Sequence, residues 1–420
     1  MIEYEVVPLK TLVKRVKVGF VGTIDDFYCD EKDGVRLIRT LNLTGNGLDY
    51  SDIKYVTNEF HKKNKKSQLK KGNLLIARHG DNGKADIFDD DFEAQALNVV
   101  IIEQDENIMS SKLLQLYFNM PFVQAQIANA ASGSVQGVVN TSQIAELKIP
   151  VFKNVDYDKV VLIIDSLNQK ITLNNSICSD LESMAKLLYD YWFVQFDFPD
   201  ENGRPYKSSG GKMMWNDELK REIPEGWEDV VLDKIAQIIT ESVKPVSNEY
   251  YCHYSIPAFD EGMYPREEFG SSIDSNKYLV LNDYVLVSKL NPQFKRVWNI
   301  YLTGENSICS TEFMPFISKT NEKEFMYSVL NSDSFYTFMV NSSSSSTGSR
   351  KRMQPDLCNN YKFAYPRDNR VIQMYCEKTK AIFEEKDKII KENHELASLR
   401  DFLLPMLMNG QIKIEDVKAS

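Results

Sequence analysis

Two stretches of the chain alternate apolar positions in a way that predicts long paired helices. Val160, Ile164, Leu167, Ile171, Asn174, Cys178, Leu181, Ala185, Leu188 and Trp192 follow one another in steps of four and three. All but Asn174 are apolar or thiol side chains, which is the seam of a coiled coil. A single polar seam residue fixes register between paired helices, and Asn174 fits that role. A helix over residues 156–196 is expected, about 60 Å long at 1.5 Å per residue. Further on, Tyr375/Cys376, Ile382/Phe383, Ile389/Ile390, Leu396/Ala397 and Leu403/Leu404 recur every seven residues. Thr379, Lys386, Asn393 and Arg400 recur at seven between them, so this second seam is half polar. The two helices are read as pairing with each other, through Val160, Ile164, Leu167, Ile171, Asn174, Leu181 and Leu188 on one side and Ile382, Ile389, Leu396 and Leu403 on the other. The alternative is that each covers its own globular region.

Short continuous apolar runs mark buried strands at Leu74–Ala77, Val99–Ile102, Val285–Ser288 and Phe313–Ile317. Residues 111–130 and 323–340 read as helical. These features occur twice in the same order. Leu74-Leu75-Ile76 matches Val285-Leu286-Val287, Ser132-Gly133-Ser134 matches Thr347-Gly348-Ser349, and Leu147–Pro150 matches Phe363–Pro366. The offsets are nearly constant, close to 215 residues, which is too long for a solenoid and indicates a duplicated domain. The resulting fold class is α+β: two homologous mixed α/β globular halves separated by two long antiparallel coiled-coil helices, with pseudo-twofold symmetry. The expected boundaries are 1–153 for the first globular half, 154–197 for the central helix, 198–226 for a Pro-, Gly- and Ser-rich linker, 227–368 for the second half, 369–412 for the distal helix and 413–420 for a tail.

Composition adds constraints. Among 420 residues the net charge is −10, which gives DNA binding no support, because counterion release from phosphates drives much of such affinity. Residues 1–153, however, hold 19 basic and 20 acidic side chains and are nearly neutral. Six dispersed cysteines with no CxxC pair suggest free thiols in a reducing compartment. The charged N-terminal segment is unlike a signal peptide and no run spans a bilayer, so a cytoplasmic, non-membrane location is expected.

The polar clusters are compatible with nucleic acid. Lys62, Lys63, Lys65, Lys66, Lys70 and Lys71 crowd into HKKNKKSQLKK, residues 61–71. Such ammonium groups suit phosphates and carry little sequence information, and a solvated face is the alternative. After the first buried strand come Arg78, His79, Asn82 and Lys84. Arg pairs bidentately with guanine and Asn with adenine. After the equivalent strand of the second half come Lys289, Asn291, Lys295 and Arg296. Ser134 and Gln136 align with the serine-rich run that ends in Arg350, Lys351 and Arg352. That run is read either as a phosphate clamp or as a loose linker.

Catalytic signals fail on inspection. Asn291-Pro292-Gln293-Phe294 approaches the Asn-Pro-Pro-Phe/Tyr motif of adenine methyltransferases, but the second proline and a preceding Gly-rich loop are absent. No P-loop, HExxH or GxSxG pattern is present, and the four histidines are scattered. No metal site and no catalytic residue is expected.

The chain resembles the specificity (S) subunits of type I restriction-modification systems. The resemblance runs through LIRTLNLTGNGLD (37–49), LLIARHGDNG (74–83), LLYDYWFVQFDFP (187–199), GKMMWNDELKREIPEGW (211–227), VSKLNPQFKRVW (287–298) and LRDFLLPMLMNGQI (399–412). It implies two target-recognition domains, each reading half of a split double-stranded DNA site, with the helices setting the unread spacer. It implies docking of two methyltransferase (M) subunits and, in complete systems, two restriction/translocase (R) subunits. S-adenosylmethionine, ATP and Mg²⁺ would belong to those partners, with no cofactor in this chain. The competing class is a coiled-coil scaffold whose heads bind proteins.

Overall fold

The computed structural model describes residues 3–45, 47–80, 82–132, 137–301, 304–344 and 350–412. Two compact units emerge. One comprises residues up to Lys170 together with those from Leu396 onward, and the other is Ile171–Glu395.

The first unit is built on a four-stranded antiparallel sheet in the order Val13–Val18, Val99–Gln104, Asn73–Ala77, Ala85–Phe88. Its two central strands are the runs LLIA and VVII. Leu74, Ile76, Val100 and Ile102 face one core, whereas Leu75, Ala77, Val99 and Ile101 face another. Burial on both faces explains why these strands read as continuous apolar runs without alternation. Helices Ser111–Phe118, Pro121–Ser132 and Thr141–Ala145 supply residues to the first core. A smaller mixed sheet, in the order Tyr28–Cys29, Lys54–Thr57, Gly34–Arg39, Ala94–Leu97, contributes Ile38, Ala94 and Ala96 to the second. Tyr4–Pro8 pairs with Lys148–Phe152.

The second unit repeats this plan. Its four-stranded sheet runs Ala236–Ile238, Phe313–Ser318, Val285–Ser288, Val297–Asn299, the same sequence of entry strand, late strand, central strand and hairpin partner. A five-stranded mixed sheet stands where the first unit has four strands, and Trp227–Val231 pairs with Lys362–Pro366. The duplication inferred from sparse sequence matches is thus carried by topology.

The predicted helices are present with two differences. Residues 111–130 and 323–340 each form two helices, broken at Asn119-Met120 and Asn331-Ser332. Local chemistry accounts for the break: Pro121 opens one second helix, and Ser332 caps the other by accepting from the Phe335 amide at 3.2 Å. The first long helix spans Tyr157–Tyr189 and ends in a wide turn over Asp190–Val194. The second long helix spans Arg370–Met408.

The two long helices run antiparallel within each unit. In the second unit Asn174 is 1% exposed and donates to Glu392 Oε2 at 2.6 Å and Asn393 Oδ1 at 2.9 Å. Glu182 pairs with Lys386 at 2.5 Å, and Tyr375 donates to the Ala185 carbonyl at 3.3 Å. In the first unit Arg400 donates to Asn168 Oδ1 at 3.1 Å. Residue numbers rise on one helix as they fall on the other. The half-polar seam therefore consists largely of contacts between helices: Lys386, Asn393 and Arg400 each meet the other helix. Thr379, fully buried, donates back to the Tyr375 carbonyl at 2.9 Å.

The segment expected as a linker, 198–226, is packed into the second unit. Phe198 stacks on Tyr206 and Trp227 at centroid distances of 4.8 and 5.2 Å. Asp197 accepts from the Ser208 amide at 2.7 Å, and Met213–Asn216 forms a hairpin with Arg221–Pro224. Its glycines and prolines shape turns around an aromatic cluster, so a linker-like composition here accompanies order. No helix among the described residues is long and apolar enough to cross a membrane.

Candidate nucleic-acid interface

In the first unit, residues 78–80 and 82–84 belong to the hairpin connection between Asn73–Ala77 and Ala85–Phe88, closed by Ala77 donating to the Lys84 carbonyl at 2.9 Å. The chain after helix Pro121–Ser132 returns to this loop. The Val139 amide donates to the Arg78 carbonyl at 3.2 Å, and Asn82 Nδ2 donates to the Gly137 carbonyl at 2.8 Å. A third segment joins them. Asp86 is completely buried and accepts from the Gly45 amide at 2.8 Å and the Gly47 amide at 2.7 Å, which ties these two glycines to the base of the hairpin. Both glycines have positive φ, 89° and 125°, which other residues adopt with difficulty. Burial nonetheless pushes the Asp86 carboxyl up from its ordinary range.

Electrostatics at this loop are those of a partly dehydrated cation. Burial lowers the affinity of the Arg78 guanidinium for its proton, and burial with the nearby Arg78 charge lowers that of His79. Arg78 Nε and Asn82 Oδ1 are shielded from solvent and lack hydrogen-bond partners. Groups left unpaired in this way favour a ligand that satisfies them.

The second unit builds the same junction. Residues 289–296 form the loop after Val285–Ser288, and the Ser288 amide donates to the Arg296 carbonyl at 3.0 Å. The Asn291 amide donates to the Lys351 carbonyl at 2.8 Å, and the Met353 amide to the Lys289 carbonyl at 3.0 Å. Asn291 has φ 49°, and its Oδ1 is shielded without a partner. The hairpin loop and the segment after the second helix, separate in sequence, are thus hydrogen-bonded in both units. Ser134 and Gln136 lie outside the described residues, as do Thr347-Gly348-Ser349.

Several predicted cations are already engaged. Arg296 holds Asp260 through two bonds of 2.6 and 2.8 Å. Arg352 holds Glu312 through bonds of 3.1 and 2.8 Å. Lys295 lies 3.5 Å from Asp333 and donates to the Asn331 carbonyl, and burial lowers its proton affinity. Arg350 and Lys351 are exposed, and Lys289 is half-buried. Sequence reading missed Asp86, Asp260 and Glu312. An aspartate inside the otherwise apolar strand Ala85–Phe88 was a signal for the first, and nothing local marked the others.

The lysine run is separate from the loop. Lys62 and Lys63 end helix Asn58–Lys63, Lys65 and Lys66 lie in the next turn, and Lys71 pairs with Asp91 at 2.9 Å. Lys70 and Lys71 precede the strand that Arg78 follows. Its five residues, about 17 Å at 3.3 Å each, part the two sets. Among the described residues no cluster of His, Cys, Asp and Glu is arranged to hold a metal ion.

Residues 14–183 match the family described as the type I restriction modification DNA specificity domain. The type I restriction enzyme HindI specificity subunit of Haemophilus influenzae is 23% identical over 418 residues, covering 83% of this chain and 88% of that protein. The chain is similar to type I specificity subunits over most of its length, and residues 14–183 carry the match to their DNA specificity domain. The MjaIX specificity subunit of Methanocaldococcus jannaschii, another similar protein, is 23% identical over 321 residues, covering 73% of this chain and 70% of that one. A crystal structure of the type I restriction-modification S subunit from M. genitalium shares the fold, with a TM-score of 0.56 at 13% identity over 97% of this chain and 96% of that one. The family match takes in the hairpin loop and the two glycines that Asp86 holds, and it ends within the first long helix.

Proposed function

We propose that this chain is the specificity subunit of a type I restriction-modification system and carries two target-recognition domains, residues 1–153 and 227–368, each reading half of a bipartite double-stranded DNA site. The observation that supports this reading most is the repeated junction: in both units a polar hairpin loop after the central strand is hydrogen-bonded to the segment after the second helix. Arg78, His79, Asn82 and Lys84 are the reading residues of the first domain. Lys289, Asn291, Arg350 and Lys351 are those of the second, while Lys295, Arg296 and Arg352 shape its surface through their carboxylates. The lysines at 62–71 supply phosphate contacts.

The long helices, 33 and 39 residues or about 50 and 58 Å, set the unread spacer and dock two methyltransferase subunits. Two restriction/translocase subunits join where the system has them. The chain is non-catalytic, and S-adenosylmethionine, ATP and Mg²⁺ are bound by its partners. Each domain gains about 1–3 kcal/mol of discrimination per good bidentate base contact. Linkage makes the second contact effectively intramolecular and rejects half-sites at the wrong spacing.

Mapping N6-methyladenine across the source genome, with and without this gene, tests the reading. Loss of one split motif with a fixed gap is expected. If co-purified methyltransferase methylates the same sites without this chain, the reading is refuted and a protein-binding scaffold takes its place.

A further inference from the structure

The second unit contains a cavity of about 740 Å³ that DNA reading leaves unused. Strands Tyr250–Tyr254 and Val297–Asn299, the segment after helix Ile256–Asp260 and the second long helix at Asp387 to Lys391 form its walls. Tyr254, Tyr264 and Trp298 supply aromatic surface. Tyr264 is held in place by stacking on His394, with centroids 3.9 Å apart and planes at 12°. Glu249, Glu267, Glu305 and Asp387 face the same space with one lysine, Lys391, so four acids and one base give the lining a formal charge of −3.

Three observations indicate what this space holds. Glu267, Glu305 and Asp387 make no ion pair among the described residues, and burial pushes the Asp387 carboxyl up despite the charges of Lys323, Lys386 and Lys391. Burial pushes the Tyr301 phenol well up, with Asn299 nearby offsetting only part of this, and neither atom of the shielded Asn299 amide has a partner in hydrogen-bonding geometry. The volume is that of a small-molecule site and far exceeds a bare ion. A negative lining disfavours phosphates and nucleotides, whereas aromatic faces attract organic cations.

We infer that this cavity binds a small organic cation of the polyamine class. Its ammonium groups take Asp387 and Glu267 as counter-ions, its methylenes lie along Tyr254, Tyr264 and Trp298, and one N–H donates to Asn299 Oδ1. The inference is independent of DNA reading and is tested without DNA. Spermidine and putrescine are titrated into the full chain at physiological salt by calorimetry, with tryptophan fluorescence as a second readout. One saturable site is expected, weakened at least tenfold by Asp387→Asn and also by Glu267→Gln. Circular dichroism checks that each variant folds, and either folded variant suffices. Heat that does not saturate, or binding unchanged in a folded variant, overturns the site and reports diffuse attraction to an acidic chain. Adenosine is titrated in parallel, because an amide beside aromatic rings also suits a purine. Saturable binding of adenosine with none of the amines likewise overturns the inference.

Discussion

Replacing Asn174 with alanine removes the centre of the polar layer between the long helices in the second unit. Asn174 is 1% exposed and makes two bonds through Nδ2, one to the Glu392 carboxylate and one to Asn393. A neutral bond contributes about 1 kcal/mol and one to a charged group about 1.5–3 kcal/mol. Glu392 and Asn393 are only partly buried, so water recovers part of that sum, and a net loss of about 2 kcal/mol follows. All four tryptophans, at 192, 215, 227 and 298, lie in the second unit, so their fluorescence in urea reports this unit alone. With a slope of about 2 kcal/mol per M, the midpoint falls by about 1 M. Replacing both Asn174 and Asn393 with leucine removes the amide partner along with its bond, leaves the partly exposed Glu392 carboxylate to water, and regains most of the loss, because an apolar pair of matched size rivals a buried polar one. A midpoint lowered by less than 0.2 M in Asn174→Ala, or no recovery in the double leucine variant, refutes the buried polar layer as a determinant of pairing.

Other perturbations separate the parts. Arg78→Ala relaxes one half of the methylated motif and leaves the other half unchanged, as sequencing of modified genomes reads out; loss of both halves together contradicts separate reading. Charge reversal across Lys62 to Lys71 weakens DNA binding uniformly over sequences and reduces its salt dependence in filter binding, without altering the motif. Removing one facing heptad from each long helix shortens the path by about 10 Å, or roughly three base pairs at about 3.4 Å each; an unchanged spacer contradicts the role given to the helices. Lys323 sits 7% exposed beside Asp283, and burial lowers it to about 8. The folded chain gives up this proton near pH 8 while the unfolded chain holds it to about 10.4, so raising the pH favours the folded state in that interval. Wild type should therefore gain up to about 1 kcal/mol relative to Lys323→Met between pH 8 and 9 in urea unfolding.

The fold was legible where one physical signal dominated a segment. The seven-residue seam located both long helices and marked Asn174 as their polar contact, because a period maintained for ten positions has few other causes. The buried strands were legible because both faces of each central sheet are covered, which turns alternation into an unbroken apolar run. The segment 198–226 was misjudged for a related reason: its glycines and prolines were weighed, while Phe196, Phe198 and Trp227, which draw it into the core of the second unit, lie at or beyond its edges. Composition reports local backbone freedom and does not report what the segment packs against.

The candidate interface was legible as pieces. Hairpin loop and return segment were each picked out by polar, basic or Gly-rich character, but 55 residues separate Asn82 from Gly137 and 60 separate Asn291 from Lys351. Joining them needs the sheet and both helices between. The same limit applies to charge. Arg296 and Arg352 read as free cations in the sequence, yet Asp260 lies 36 residues before the first and Glu312 lies 40 before the second. Each pair is partly exposed, so its own stabilisation is small, and its larger effect is to occupy a guanidinium that the proposed reading would otherwise offer to phosphate. A phosphate that competes for Arg352 must displace a bidentate carboxylate. Glu312→Gln should therefore strengthen DNA binding by the full chain where Arg352→Gln changes it little. If the glutamine at 312 weakens binding instead, the pair is itself part of the reading surface.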